Sequence, residues 1–195
     1  KYLFDVSVGY NGSENFAPGN TRFGIFPSFS GGWVVSAEDF MQNQDIVSYL
    51  KLRASWGRVG NDKGVSSRFM YMPAVWSDSG NYSFGVNNPN SEIASVITTM
   101  GNTEVTWETA DKQNYGVDFK LFNDRLSATF DYFIENRTGI LISPKSTPSI
   151  IAMSLPNINI GKVDNHGYEI SLGWNDHIGQ DFNYFVNANM SFARN

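Results

Sequence analysis

The stretch that decides the fold is Thr106–Arg137, TWETADKQNYGVDFKLFNDRLSATFDYFIENR. In its first half Tyr115, Val117, Phe119 and Leu121 alternate with Asn114, Gly116, Asp118 and Lys120. In its second half Leu126, Ala128, Phe130, Tyr132 and Ile134 alternate with Ser127, Thr129, Asp131, Phe133 and Glu135. A period of two sustained this long predicts two strands, each with an apolar and a mostly polar face. Between them Phe122-Asn123-Asp124-Arg125 carries the Asn/Asp chemistry of a short hairpin loop. Strands of soluble domains run to about 5–6 residues, whereas a tilted path across a bilayer needs about 9–11. The run from Leu126 falls in the longer class. In a packed core Asp118, Lys120, Asp131 and Glu135 would each need a buried partner. In a wide barrel they face a wet lumen, and the apolar face meets lipid.

Composition agrees. Of 195 residues, 41% are hydrophobic, 15% aromatic and only 17% charged, against a usual charged share of about 25%. Low charge with many aromatics and 18 glycines excludes disorder and suits a β-sandwich or a membrane β-barrel. No apolar run approaches the length of a transmembrane helix, which a β-barrel does not need. A net charge of −5 argues against nucleic-acid binding, which requires a basic stripe. With no cysteine, disulfides and thiolate metal sites are excluded. Both ends interrupt strand-like patterns, so residues 1–195 are expected to be a partial barrel domain without its plug or remaining strands.

Further strands are expected at Tyr2–Tyr10, Phe23–Val35 (with a bulge or break at Pro27), Ser48–Gly60, Tyr168–Asn175 and Phe182–Phe192, making about seven. Ser36-Ala37-Glu38-Asp39 reads as a helix start with Ser36 as N-cap. Loops 11–22, 61–105 and 138–164 are long, the second with some local pairing around Phe69–Met72. Those at 36–47, 122–125 and 176–181 are compact. Long loops at one end and short turns at the other are the asymmetry of outer-membrane barrels. Aromatics near strand ends, among them Tyr2, Trp33, Trp56, Trp107, Tyr132 and Trp174, fit interfacial girdles, although aromatics favour strands generally.

Sites of chemistry are few. His166 and His177, at a strand start and in a turn, have no metal-binding spacing. Gly57 to Gly64 lacks the spacing of a phosphate loop and reads as a turn. Glu104 and Glu108 read as solvated loop carboxylates, and Asn61, Asp62, Asp78, Asn81, Asn87 and Asn88 as solvated loop without calcium-site spacing. No catalytic, cofactor or metal residue is assigned. Trp76 and Tyr82 are of a kind that stacks on sugar rings, although packing of a large loop is the plainer role.

Leu52-Arg53-Ala54-Ser55-Trp56-Gly57-Arg58-Val59-Gly60-Asn61, Thr106-Trp107-Glu108-Thr109-Ala110 running into Asn114-Tyr115-Gly116-Val117-Asp118, and Asp131-Tyr132-Phe133 followed by Arg137-Thr138 carry a resemblance. Ser154-Leu155-Pro156 and Asn159-Ile160-Gly161-Lys162-Val163-Asp164-Asn165-His166-Gly167-Tyr168-Glu169-Ile170 extend it. In this order they resemble the later barrel of SusC/RagA-type TonB-dependent outer-membrane transporters. The resemblance implies a 22-stranded plugged barrel in the bacterial outer membrane, importing large nutrients, oligosaccharides or peptides. It further implies a SusD-like surface lipoprotein as lid and TonB as energy source, acting through regions absent from this chain. The competing readings are a soluble β-sandwich carbohydrate-binding module and a passive porin or adhesin barrel.

Overall fold

A computed structural model describes residues 1–63, 68–86, 90–144, 153–179 and 181–195. The strands are β1 (Tyr2–Gly12), β2 (Phe23–Val34), β3 (Val47–Asn61), β4 (Ala74–Phe84), β5 (Asn90–Thr99), β6 (Glu108–Leu121), β7 (Leu126–Ile142), β8 (Ile158–Ile178) and β9 (Phe182–Arg194). Seven form one antiparallel sheet in the order β1-β2-β3-β6-β7-β8-β9, and β4 and β5 form a separate hairpin. β8, at 21 residues, far exceeds the strand length of a soluble domain.

The seven expected strands are present, and several details differ. The stretch 61–105 is not an irregular loop: it carries the β4–β5 hairpin, while Phe69–Met72 is a turn closed by Met72 N–H donating to the Phe69 carbonyl. The loop 138–164 is shorter, because β7 continues to Ile142 and β8 starts at Ile158. His166 and His177 therefore both lie within β8. Gly57 to Asn61 belong to β3 rather than to a turn. In place of a capped helix there are two 3-10 turns, Val35–Ala37 and Asp39–Met41, and neither has a side-chain cap. Glu38 instead accepts a hydrogen bond from the Trp33 indole at 3.1 Å. Pro27 causes no bulge: it pairs with Val8 in an unbroken β1–β2 register. The β2–β3 ladder stops at Ser28, so the missing donor sits where pairing has ended.

The β6–β7 turn places Phe122, Asn123 and Asp124 at φ 57°, 55° and 66°, a left-handed run that Asn and Asp tolerate best. Phe122 is tied down by its N–H to the Ile46 carbonyl at 2.9 Å. At the opposite end of β7, Gly139 has φ 69° where the β7–β8 register shifts, the conformation of a glycine bulge.

Register sorts the two faces. One outward row reads Tyr2, Trp33, Leu52, Val117, Phe130, Ile170, Met190. The next toward the long loops reads Phe4, Gly31, Ala54, Tyr115, Tyr132, Tyr168, Phe192. No second sheet or helix covers these rows among the described residues, and Tyr2, Phe4 and Met190 are 77%, 78% and 55% exposed. The opposite face runs Leu3, Gly32, Arg53, Gly116, Asp131, Glu169, Ser191.

The apolar band crosses the strands obliquely. Phe4 and Phe192 share a row. On β9 the apolar run ends loopward at Phe192, before Arg194, but on β1 it continues to Tyr10. That is about 20 Å along the strand over about 29 Å across the sheet, a slope near ~35° at standard rise and strand spacing. At the other edge the run stops at Leu50 on β3 and reaches Phe182 on β9. A level hydrophobic slab cut by strands tilted about 35–45° produces this pattern.

Candidate functional site

The inward face is built around Arg53. Its guanidinium donates to Asp118 Oδ2 at 3.1 Å, Asp131 Oδ2 at 2.7 Å and Asn114 Oδ1 at 3.3 Å, joining β3, β6 and β7. Alternation dictates this: all four residues occupy the parity opposite Leu52, Val117 and Phe130. Gly116 lies beneath the guanidinium, where a Cβ would collide with it.

Nearer the long loops, Arg137 pairs with Glu135 at 2.6 Å and Glu108 at 3.3 Å, and Lys112 reaches Glu135 at 3.4 Å. Glu108 is only 5% exposed, so it is not the solvated carboxylate expected, while Glu104 remains on the surface. Between the two clusters a basin of about 480 Å³ is lined in part by Asp5, Ser30, Ser55, Asn114, Phe133 and Glu135. Phe133 lies against Gly167, which has no Cβ to hold the ring away. Its hydroxyls, amides, lysine and carboxylates can hydrogen-bond a polar solute, and they share the lining with Phe29, Trp56, Val59, Phe133 and Ile134. Among the described residues that line it there is no histidine or cysteine.

Above it the long loops interlock. Phe16 from the first loop, Met70 and Val105 from the connection containing the hairpin, and Leu141 of β7 form a buried cluster, with Trp107 packed against it. Phe16 and Val105 are 0% and 1% exposed. Trp107 meets Phe16 edge-on at 5.4 Å and donates its indole N–H to the Arg22 carbonyl at 3.1 Å, so it is a pin within the cap rather than part of a lipid girdle. Asn159 ties the loops further, donating to the Thr106 carbonyl at 2.9 Å and the Gly139 carbonyl at 2.7 Å. Asp62 accepts from Ser13 Oγ at 2.8 Å, and Arg68 pairs with Glu14. Asn61 Oδ1 accepts from the Lys63 N–H at 3.0 Å.

Of the two stacking candidates, Tyr82 sits on β4, 65% exposed and 5.0 Å from the Phe84 ring. Trp76 pairs with Val96 through the backbone, and its side chain lies outside the described residues. Asp78 and Asn81 fall in β4; Asn87 and Asn88 lie outside the described residues. No group of three His, Asp or Glu is placed to hold a metal ion among the described residues. Sequence reasoning missed the cap core, whose members are single apolar residues far apart in polar loops.

An outward lipid-facing band, an inward ion-paired wall and loops tied together at one end define a transmembrane β-barrel wall. The family model for the TonB dependent receptor-like β-barrel matches residues 1–195, and the chain belongs to that family, in its SusC/RagA-type branch. TonB-dependent receptor P3 of Formosa agariphila is 31% identical over 199 residues, covering 100% of this chain and 19% of that protein. TonB-dependent receptor SusC of Bacteroides thetaiotaomicron is 28% identical over 197 residues, covering 100% of this chain and 19% of that protein. The RagAB peptide importer in its open-open state superposes with a TM-score of 0.83 at 26% identity, covering 99% of this chain and 20% of that one. The chain thus spans about a fifth of the length of the relatives it matches.

Proposed function

We propose that this chain forms part of the lumen wall and outer loop cap of a bacterial outer-membrane importer that takes up large polar nutrients, oligosaccharides or peptides, with energy delivered through TonB. Residues 1–195 are then a partial barrel domain of a 22-stranded, plugged barrel. Both edge strands, β1 and β9, offer unpaired ladders for neighbouring strands. The observation that carries the reading is the oblique apolar band, whose slope fits tilted strands crossing a level bilayer.

Under this reading the inward basin meets solute, and the interlocked loops form one lip of the entrance. A SusD-like surface lipoprotein closes over that lip, a partnership that the likeness to SusC and to the RagAB peptide importer supports. Tyr82, exposed on its hairpin, is the ligand-contact candidate, with Trp76 on the same strand. No bond-breaking role is assigned.

Uptake of labelled oligosaccharide or peptide by cells expressing the full-length protein tests the reading. Import should stop when a protonophore collapses the proton gradient. Uptake that persists under those conditions identifies a passive pore instead, and partitioning of the folded full-length protein into the soluble fraction overturns the membrane assignment.

A further inference from the structure

On the outward face rings pair with rings: Tyr2 stacks on Trp33, Tyr10 on Phe23, Phe29 on Trp56 and Tyr168 on Phe192. Phe133, on the inward parity of β7, faces Asn114 on β6 and Gly167 on β8 instead. A Cβ built on Gly167 would stand 2.6 Å from Phe133 Cζ, so the ring lies down across β8, over the glycine. The β8 backbone covers one of its faces, and the other is turned to the lumen. Phe133 belongs to one cross-strand row, Asp5, Ser30, Ser55, Asn114, Phe133 and Gly167, drawn from six strands. The first five line the inward basin. Successive members stand about 4.8 Å apart, close to the length of one sugar unit. The serine hydroxyls both donate and accept, and Asn114, whose Oδ1 accepts from Arg53 at 3.3 Å, keeps its amide N–H donors. The charges beside the row on β3, β6 and β7 are matched, Lys112 and Arg137 with Glu135, and Arg53 with Asp118 and Asp131. From Ser30 to Gly167 every strand is paired on both sides, which leaves no open ladder for an extended peptide.

We propose that Phe133 is the stacking platform of an oligosaccharide subsite on the lumen wall, with Asp5, Ser30, Ser55 and Asn114 hydrogen-bonding successive sugar units. The ligand is a neutral glycan. A pyranose has an apolar C–H face and a rim of hydroxyls, the complement of a flat ring that ends a row of small polar groups. The inference rests on the importer reading above and selects between the two nutrient classes named there.

The test is calorimetric titration of the full-length protein in detergent. The probes are neutral hexasaccharides of glucose, mannose, galactose and xylose, and hexapeptides, one uncharged and one cationic. A heat-modifiable gel shift establishes that each sample is a folded barrel. Its absence in wild type would bring down the importer reading and this inference together, whereas a shifted barrel isolates the inference. Wild type should bind at least one hexasaccharide more tightly than either peptide. For that sugar Phe133→Leu, which keeps an apolar cover over Gly167, should weaken binding by roughly three- to tenfold. Phe133→Tyr should bind within about twofold of wild type, and the outward Phe130→Leu should bind unchanged. If Phe133→Leu does not fold, Phe133→Met carries the same expectation. Binding of none of the sugars, a peptide bound more tightly than every sugar, or a folded Phe133→Leu that binds like wild type overturns the proposal.

Discussion

The main sheet and the loop cap solve the same problem in opposite ways. Across the seven-stranded sheet most side chains stay open on one face or the other, and Ala110 and Ala128 are among its few buried apolar residues. The cap holds Phe16 and Val105 almost fully buried. A wall in a bilayer needs no protein core: its ladders satisfy the backbone, lipid covers one side and ion pairs cover the other. Where the chain leaves the bilayer, lipid no longer covers it, and a dry core becomes necessary.

The largest effect that sharpens this contrast is expected from Phe16→Ala. Emptying a fully buried aromatic site costs about 3–5 kcal/mol, confined here to the cap. Hydrogen exchange of the full-length protein should accelerate around 13–22, 69–72 and 101–107 while β6 and β7 remain protected. Acceleration across β6 and β7 as well would break the distinction between wall and cap. Next comes Phe130→Lys, a charge set in the outward band, which should lower folding stability in vesicles by about 2–4 kcal/mol in a urea titration. A neutral outcome would mean that Phe130 does not face lipid.

Arg53→Ala should cost less, about 1 kcal/mol, because the guanidinium is about a third exposed and water screens the carboxylates left behind. A loss as large as that of Phe16→Ala would place the wall's ion pairs in a dry interior. The smallest effect on stability belongs to Tyr82→Ser, within about 0.5 kcal/mol as for other surface changes. Its readout is uptake: a raised half-saturation concentration with an unchanged denaturation midpoint supports ligand contact, and unchanged uptake removes Tyr82 from the site.

Period-two alternation made the wall legible in the sequence, because lipid and lumen impose opposite chemistry on adjacent residues from Tyr115 to Ile134. Arg53 obeys the same rule, lying on the parity opposite Leu52 and Ala54. The β4–β5 hairpin was hidden, since its sequence around Asp78, Ser79 and Gly80 is polar on both parities and its pairing is irregular between Ser77 and Asn81. The cap core was hidden for another reason. Phe16, Met70, Val105 and Leu141 come from segments far apart in the chain and share no local period. Glu108 looked solvated because Arg137, its counter-ion, lies 29 residues away, aligned with it only through the hairpin register.

The shared burial of Phe16 by segments far apart in the chain bears on how such entrances diversify. Lengthening residues 13–22 alone would pull the phenylalanine from its seat and loosen 69–72 and 101–107 with it. Variation at this mouth is therefore expected in matched sets. A library that randomises one segment at a time would mostly return collapsed lips rather than new selectivities.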